Sequence, residues 1–257
     1  MTVRVVVDSA AGLSEELLRE LDIAVVDLHV LDGDEGASTS GLTAIELAAC
    51  YGRQLERGGD DGVVALHLSK SFSSTWSAAV QAAGVFPGNV RVVDTNAAGM
   101  AVGAAAMATA TIAREGADLD ECEEMARATI ERSETWLYLS QLDDLRKSGR
   151  LSTGTAVLSA ALLATKPILR LHEGKFELAG KTRTQTKAFA KLAELVMERA
   201  EDLPVFAAVQ HAECEDAAEQ LAETLREVLP NGSRVLVAPL VDCLLYTSQS
   251  PRDLSTS

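Results

Sequence analysis

The stretch GVVALHLSKSFSSTWSAAV, residues 62–80, holds the strand, turn and helix from which the rest of the fold can be predicted. The apolar run 62–68 is typical of a buried strand, and a turn with four serines follows it. Trp76, Val80 and Ala83 then recur at the spacing of one helix face. One serine is enough to cap this helix, so the other hydroxyl groups reflect either a bound anion at the helix N-terminus or chance.

Strands and helices alternate along the first half of the chain, which predicts right-handed crossovers and a mostly parallel sheet. The predicted strands are residues 3–7, 23–26, 63–68 and 90–93, and the predicted helices are 44–55, 75–83 and 121–132, with a further helix starting at Ser14. Residues 33–40 are polar and rich in glycine, so we expect them to form a loop.

The pattern changes in the second half of the chain. We predict a strand at 136–139, a hairpin over 168–178, a long helix at 186–201 and a strand–helix–strand unit over 205–238. The predicted fold class is therefore α/β, with two α/β domains. The first is expected to cover residues 1–135, with the mostly parallel sheet, and the second residues 136–242.

The composition argues against several classes of partner. A net charge of −15 disfavours nucleic acid or an anionic membrane. Residues 97–113 form the longest uncharged stretch, but alanine, glycine and threonine give it too low a hydropathy for a membrane span. The four cysteines lack CxxC spacing, so we expect free thiols, a cytoplasmic location and no metal site. No basic, apolar leader opens the sequence, so we expect no signal peptide.

Three predicted strands of the first half end in polar residues: Asp8-Ser9, the serine turn and Asp94-Thr95. The carboxyl ends of parallel strands meet at one edge of a sheet, where ligands bind in open α/β folds. We therefore predict a binding site at this edge. For Asp8 or Asp94 taken alone, a role as a turn or cap residue is the stronger interpretation.

The motifs expected of common enzymes are missing from the sequence. It contains no G-x-S-x-G elbow, no Walker A motif, no HExxH and no G-x-G-x-x-G after a strand. His67 is the only histidine near the serines, and it lies within the strand. The sequence supplies hydrogen-bond donors for an anion but no convincing nucleophile or base. This combination favours a binding protein with no catalytic residues. An α/β enzyme acting on a small phosphorylated or carboxylated substrate stays open as the alternative.

Five stretches in order along the chain carry a family resemblance. They are residues 7–13, 38–40, 68–76, 142–152 and 165–169, the last followed by Lys181-Thr182-Arg183. In this combination the sequence resembles the DegV family of bacterial fatty-acid-binding proteins.

The resemblance implies that a long-chain fatty acid lies between the two domains, with its carboxylate held by Thr39, Ser73 and Ser74. Ser74 stands where the family usually has glycine. Burial of a sixteen-carbon tail at about 0.8 kcal/mol per CH₂ would contribute on the order of 10 kcal/mol before association costs. The tail requires an apolar tunnel. The small residues of 97–113 either leave room for it or allow close helix–sheet packing.

The resemblance also implies a protein partner and no cofactor besides the fatty acid. Family members present the carboxylate to a separate fatty acid kinase subunit, which phosphorylates it with ATP. Arg150 and Arg183 match family arginines and are weaker candidates for the rim of the site or a partner surface. Asp8 and Ser9, at the end of the first strand, are weaker candidates for the site itself.

Two departures from the family pattern affect the predicted site. The segment between Asp8 and Thr39 is shorter than is usual in the family. The histidine and the Gly-Pro-Gly motif that follow the last family strand have no counterpart here. We therefore expect residues 243–257 to be a non-native tail that adds nothing to the site, and the affinity to be lower without the closing histidine.

Overall fold

The computed structural model of the protein describes residues 2–33, 36–139 and 165–240, with the backbone alone described at 30–33 and 36–40. The strands of the first half are β1 (Arg4–Asp8), β2 (Ala24–Val26), β3 (His29–Gly33), β4 (Gly36–Ser40), β5 (Val63–Leu66) and β6 (Val90–Val93). Its helices are α1 (Glu15–Glu20), α2 (Ala44–Gly58), α3 (Thr75–Ala83), α4 (Met100–Arg114) and α5 (Leu119–Arg132).

A four-stranded parallel sheet in the order β2-β1-β5-β6 forms the centre of the first half. The residues of its two central strands, β1 and β5, are all buried because helices cover both faces. Val6 packs in a core cluster with residues of α2 and α3, whereas Val5 and Val7 pack in a second cluster with residues of α4 and α5. The predicted parallel sheet is confirmed, and its strands all end at the same edge.

The loop predicted over residues 33–40 is wrong. The backbone there forms an antiparallel hairpin in which β3 pairs with β4 and Gly33 lies opposite Gly36. A two-stranded hairpin is held by main-chain hydrogen bonds and needs no apolar alternation, so its polar and glycine-rich sequence gave no strand signal.

The second half contains β7 (Thr135–Tyr138), β8 (Lys166–His172), β9 (Lys175–Thr182), β10 (Phe206–His211) and β11 (Arg234–Pro239), with α6 (Gln185–Ala200) and α7 (Glu215–Val228). The first three strands form an antiparallel sheet in the order β7-β8-β9, and β10 pairs with β11 in parallel. The predicted hairpin turn is confirmed at Glu173 and Gly174, which both have positive φ. The fold is thus α/β with a mostly parallel first sheet. The domain boundaries near residue 135 stay a prediction.

The small residues of α4 fill the core instead of lining an open space. Ala105, Ala106 and Ala110 are buried against the parallel sheet. A side chain at Gly103 would place its Cβ only 2.7 Å from the main-chain oxygen of Ala11. Of the two interpretations of this stretch, close helix–sheet packing is therefore the one observed.

The two halves meet at the carboxyl edge of the parallel sheet. The rings of Phe72 and Phe176 stack with their centroids 5.3 Å apart. Gly174, in the turn between β8 and β9, lies against Ser71, since a Cβ added to this glycine would be 2.4 Å from the Ser71 Oγ. The main-chain N–H of Met100, at the start of α4, donates to Oε1 of Gln210 at 2.8 Å. The second half therefore packs against the edge where the sequence predicts the site.

Candidate anion-binding site

The serine turn, residues 69–75, connects β5 to α3 and is folded by its own main chain. The Ser69 N–H donates to the carbonyl oxygen of Ala97, which anchors the turn to the neighbouring strand end. The Phe72 and Ser73 N–H groups both donate back to the carbonyl oxygen of Ser69. A compact turn of this kind brings the hydroxyl groups onto the N-terminus of α3.

Some hydroxyl groups of the serine turn hold the turn, whereas those of Ser71 and Ser74 have no hydrogen-bond partner among the described residues. Ser69 Oγ accepts from the Ser71 N–H. Ser73 Oγ accepts from the Thr75 N–H at 3.1 Å and donates to Thr75 Oγ1 at 2.9 Å. Ser74 is the N-cap of α3, yet its exposed side chain makes no hydrogen bond to any described residue. Its hydroxyl is therefore free to bind a ligand.

The N-terminus of α3 adds main-chain donors to this hydroxyl group. The first N–H groups of a helix lack intrahelical acceptors, and the helix dipole is positive there. In α3 the Thr75 N–H is already bonded to Ser73, so the next N–H groups are the ones open to an anion. Free hydroxyl and amide donors at one helix end form an arrangement suited to a carboxylate or phosphate group.

The end of β4 lies against the serine turn. A Cβ built on Gly41 would be 2.5 Å from Ser74 Oγ and 3.2 Å from the main-chain nitrogen of Thr75. The Leu42 N–H donates to Thr75 Oγ1 at 3.1 Å. The backbone of Thr39 precedes Gly41 by two residues, so it lies about 7 Å along the strand from this contact. The structure thus brings the backbone of Thr39 close to Ser73 and Ser74.

Asp8 is fully buried and is occupied by hydrogen bonds from within the protein. Its Oδ1 accepts from the Ala10 N–H at 3.0 Å, and its Oδ2 accepts from the Leu68 N–H at 2.8 Å. Ser9 Oγ accepts from the Leu28 N–H at 3.1 Å. The geometry therefore favours the turn-residue interpretation for Asp8 over direct contact with a ligand.

His67 and Tyr51 form a buried pair that sequence reasoning missed. Nδ1 of His67 lies 3.2 Å from Asp8 Oδ2, and Nε2 lies 2.9 Å from the hydroxyl oxygen of Tyr51. Burial raises the pKa of Tyr51 well above its ordinary value, so the phenol stays neutral. The sequence offered two signals for this pair. His67 lies within the apolar run predicted as a strand, and Tyr51 lies on the buried face of α2.

The third strand end supplies a partner for the turn and an ion pair. Thr95 Oγ1 donates to the carbonyl oxygen of His67 at 2.7 Å. Asp94 accepts a hydrogen bond from Lys70, whose Nζ also lies 5.4 Å from the centroid of the Trp76 ring. The strand ends predicted to meet do meet, and their carboxylates are paired or hydrogen-bonded within the protein.

Of the two candidate arginines, the structure describes Arg183, which lies outside this cluster. Arg183 is exposed and follows β9, whose other end adjoins Gly174 at the serine turn. The eight residues of β9 span about 25 Å, which separates Arg183 from the turn. Arg150 falls outside the described residues, as do the predicted tail 243–257 and the stretch 142–152.

Within the described ranges, no group of three or more histidine, cysteine, aspartate or glutamate residues could hold a metal ion. Cys50, Cys122 and Cys214 are free thiols, and burial raises the pKa of Cys122 to about 11. None of the described helices combines the length and apolar character needed to cross a bilayer.

The fold and the turn define an α/β protein with a candidate anion site at the serine turn, and comparison with known proteins places it in a family. Residues 32–241 match the family model described as "Uncharacterised protein, DegV family". A DegV domain-containing protein of Corynebacterium glutamicum is 55% identical over 258 residues, which cover 100% of this chain and 93% of that protein. The chain belongs to the DegV family.

Solved structures extend this similarity to the fold. A crystal structure of a DegV family protein from Corynebacterium glutamicum superimposes with a TM-score of 0.89 at 57% identity, covering 93% of this chain and 91% of that chain. A DegV family protein from Thermus thermophilus, whose structure is described by its fatty acid binding, gives a TM-score of 0.81 at 28% identity and covers 93% of each chain.

Proposed function

We propose that the protein binds a long-chain fatty acid and presents its carboxylate at the serine turn. The observation that carries this proposal is the free Ser74 hydroxyl at the N-terminus of α3, beside an apolar cluster built by both halves of the chain. The fatty acid binding of the related Thermus thermophilus protein supports it.

The head group would be held by Ser74, by N–H groups of the first turn of α3 and by the Thr39 hydroxyl. The Ser73 hydroxyl would join them by exchanging its hydrogen bond to Thr75 for one to the carboxylate. These donors are neutral, so they bind a carboxylate by hydrogen bonds and the helix dipole without a permanent counter-ion. Asp8 and Asp94 do not oppose binding strongly, because His67 and main-chain N–H groups engage the first and Lys70 the second.

The tail would extend from the serine turn into the apolar region between the halves. Phe72 of the turn belongs to one core cluster with residues of both halves, which include Leu42, Leu139, Leu171 and Phe176. Burial of sixteen carbons would contribute on the order of 10 kcal/mol, which is large enough to offset the ordering costs of binding.

Presentation to a fatty acid kinase subunit is part of the same proposal. Ser71 and Ser74 are exposed, so the head-group end of the site would be open to a second protein. Arg150 and Arg183 are proposed to serve partner docking. The free cysteines fit a protein that works in the cytoplasm.

The alternative enzyme has weaker support. A hydrolase at this edge would use His67 to activate a serine, but both ring nitrogens of His67 are engaged and the side chain has no exposed surface. We therefore propose a carrier and not a catalyst.

Native mass spectrometry of the purified protein, followed by lipid extraction, tests the proposal. We expect a co-purified or added fatty acid of about sixteen carbons on the wild-type protein and its loss from a Thr39→Ala/Ser73→Ala/Ser74→Ala triple variant. Ser14→Ala is the matched control, because the Ser14 hydroxyl caps α1 by accepting from the Leu17 N–H and makes no contact that the proposal uses. A wild-type protein that takes up no fatty acid would contradict the proposal.

A further inference from the structure

We propose that Asp8, His67 and Tyr51 form a positioning array that holds the serine turn in the geometry needed for carboxylate recognition. This inference rests on the proposed function and deepens it: the array determines how well the head group is recognised, and the burial of the tail does not depend on it.

The array consists of three side chains from three elements, and all three are fully buried. Asp8 ends β1, His67 follows β5, and Tyr51 lies in α2. Two hydrogen bonds join them, 3.2 Å from Asp8 Oδ2 to His67 Nδ1 and 2.9 Å from His67 Nε2 to the Tyr51 hydroxyl oxygen. The chain of side chains therefore crosses the core directly beneath the serine turn.

The direction of the hydrogen bonds follows from the partners of Asp8. Its two oxygens already accept from the main-chain N–H groups of Ala10 and Leu68, which is the pattern of an ionised carboxylate. His67 then donates from Nδ1 to Asp8, and its Nε2 accepts the hydroxyl proton of Tyr51. Every polar atom of the histidine ring has a partner in this assignment.

The array fixes the two residues that precede the turn. Asp8 Oδ2 binds the Leu68 N–H in addition to the His67 ring, so one carboxylate oxygen holds both the backbone and the side chain of consecutive residues. The His67 carbonyl oxygen accepts from Thr95. Since Ser69 begins the turn immediately afterwards, a shift of His67 would move the donors that follow.

Tyr51 extends this control to the second segment of the site. It lies in α2, whose N-terminus follows the Gly41-Leu42 segment that contacts Ser74 and Thr75. The Tyr51–His67 hydrogen bond therefore ties α2, and with it the chain leading from Thr39, to the strand that leads into the serine turn. The array therefore fixes the positions of both segments proposed to hold the head group, the chain leading from Thr39 and the serine turn.

A purely packing role would not require these residues. Buried carboxylate and imidazole groups are costly to desolvate, and apolar side chains of similar size can fill the same volume at lower cost. Directional hydrogen bonds fix position more tightly than apolar contacts do. We infer that these residues serve to fix the position of the serine turn.

The test compares two ligands that share a tail and differ in the head group, palmitate and hexadecanol. We measure the Kd of each by titration with the wild-type protein, Tyr51→Phe, His67→Leu and His67→Asn. We expect His67→Leu to weaken palmitate about tenfold with little change for hexadecanol, and Tyr51→Phe to show a smaller loss of the same kind. His67→Asn keeps a donor near the Nδ1 position and should recover most of the palmitate affinity.

Thr109→Val is the matched control. Thr109 is fully buried in the same half, and its hydroxyl donates only to the carbonyl oxygen of Ala105 within α4. Its loss should leave both dissociation constants unchanged. Thermal unfolding confirms that each variant is folded at the titration temperature, and Tyr51→Phe, which removes one oxygen, carries the test if His67→Leu fails to fold.

The outcomes separate the positioning array from the proposed function. A ratio of the two dissociation constants that stays at the wild-type value in Tyr51→Phe and in every folded His67 variant overturns the array and leaves fatty acid binding intact. Equal weakening of both ligands means a general structural role and also overturns it. A wild-type protein that binds neither ligand overturns the proposed function itself.

Discussion

The two ends of β1 carry buried side chains of opposite charge, and the partners that stabilise the two charges differ. Arg4 lies at the amino end of the strand, and Asp8 lies at the carboxyl end. Both side chains are buried and both have several polar partners. The carboxyl end, in addition, adjoins a helix N-terminus where the Ser74 hydroxyl has no hydrogen-bond partner among the described residues.

At the amino end the charges cancel each other locally. Arg4 pairs with Asp22 and its Nε donates to Gln54 Oε1 at 3.1 Å, while Arg57 pairs with the same aspartate. A cavity of about 150 Å³ lies beside Arg4, with Arg114 in its lining. This cavity is smaller than the roughly 300–1,000 Å³ of typical ligand pockets. Arg4 in its lining is already paired with Asp22.

At the carboxyl end the charged side chain of Asp8 holds the backbone in place by accepting main-chain hydrogen bonds. Asp8 binds two main-chain N–H groups and His67, and the turn it supports exposes the unpartnered hydroxyl of Ser74. The comparison teaches that a buried charge or a cavity alone does not mark the ligand site. We propose that the free donors at the N-terminus of α3 do.

The largest effect is expected from Asp8→Ala. Its loss leaves His67 and the Leu68 and Ala10 N–H groups buried without an acceptor, which should lower the free energy of unfolding by about 3–5 kcal/mol. Urea denaturation measures it. The same substitution at the other end, Asp22→Ala, should cost about 1 kcal/mol or less, because half of that side chain is exposed. Equal losses at the two ends would erase the contrast between them.

Gly41→Ala should affect ligand binding next most strongly. Its Cβ would overlap Ser74 Oγ, so the turn or β4 must shift, and we expect about tenfold weaker palmitate binding. Gly52→Ala is the control, since its Cβ would make an ordinary 3.4 Å contact with Phe86. A Gly41→Ala variant with wild-type affinity would argue against a site at this contact.

Gln210→Ala tests the junction of the two halves. The variant loses the acceptor of the Met100 N–H, and we expect the free energy of unfolding to fall by about 1–2 kcal/mol. Gln220, which is exposed in α7, provides the matched Gln220→Ala control with little expected change. If both variants are equally stable, the Gln210 hydrogen bond does not help to hold the halves together.

The smallest effect is the pH dependence at the amino end. The hydrogen bond from Arg4 holds the pKa of Asp22 below its ordinary value of 3.8, against the opposing effect of partial burial. A lowered folded-state pKa contributes stability at neutral pH that is lost as the pH falls through that pKa. Asp22→Asn should therefore be about 0.5 kcal/mol less stable than wild type at pH 7, and the gap should close below pH 3.8. Urea midpoints across pH measure this, and a constant gap would contradict it.

Much of the first half could be predicted because its signals are local. The parallel strands and α3 follow from apolar runs, and the serine turn follows from its composition. The hairpin of β3 and β4 could not be predicted, since its pairing rests on main-chain hydrogen bonds between polar residues. The packing role of α4 also needed the structure, because small residues allow either close packing or space.

The site was predictable in place and only partly in detail. The surplus hydroxyl groups indicated a possible anion site, and the family resemblance implied Ser73 and Ser74. The sequence could not show that Ser73 is bonded to Thr75 and that Ser74 has no hydrogen-bond partner among the described residues. The partnership of Asp8 with His67 joins residues far apart in the chain, so no local pattern reveals it. The need for a glycine at position 41 is visible only in the structure, because it depends on the position of Ser74.

A crystal structure of the protein loaded with 16-bromohexadecanoic acid tests the central claim most directly, because anomalous scattering from bromine locates the tail and leaves the head group to be assigned. We expect the carboxylate oxygens at hydrogen-bond distance, about 3 Å, from Ser74 Oγ and an N–H group of the first turn of α3, with the bromine between the two halves. A carboxylate in the cavity beside Arg4 and Arg114, or one that points away from the serine turn, would contradict the account.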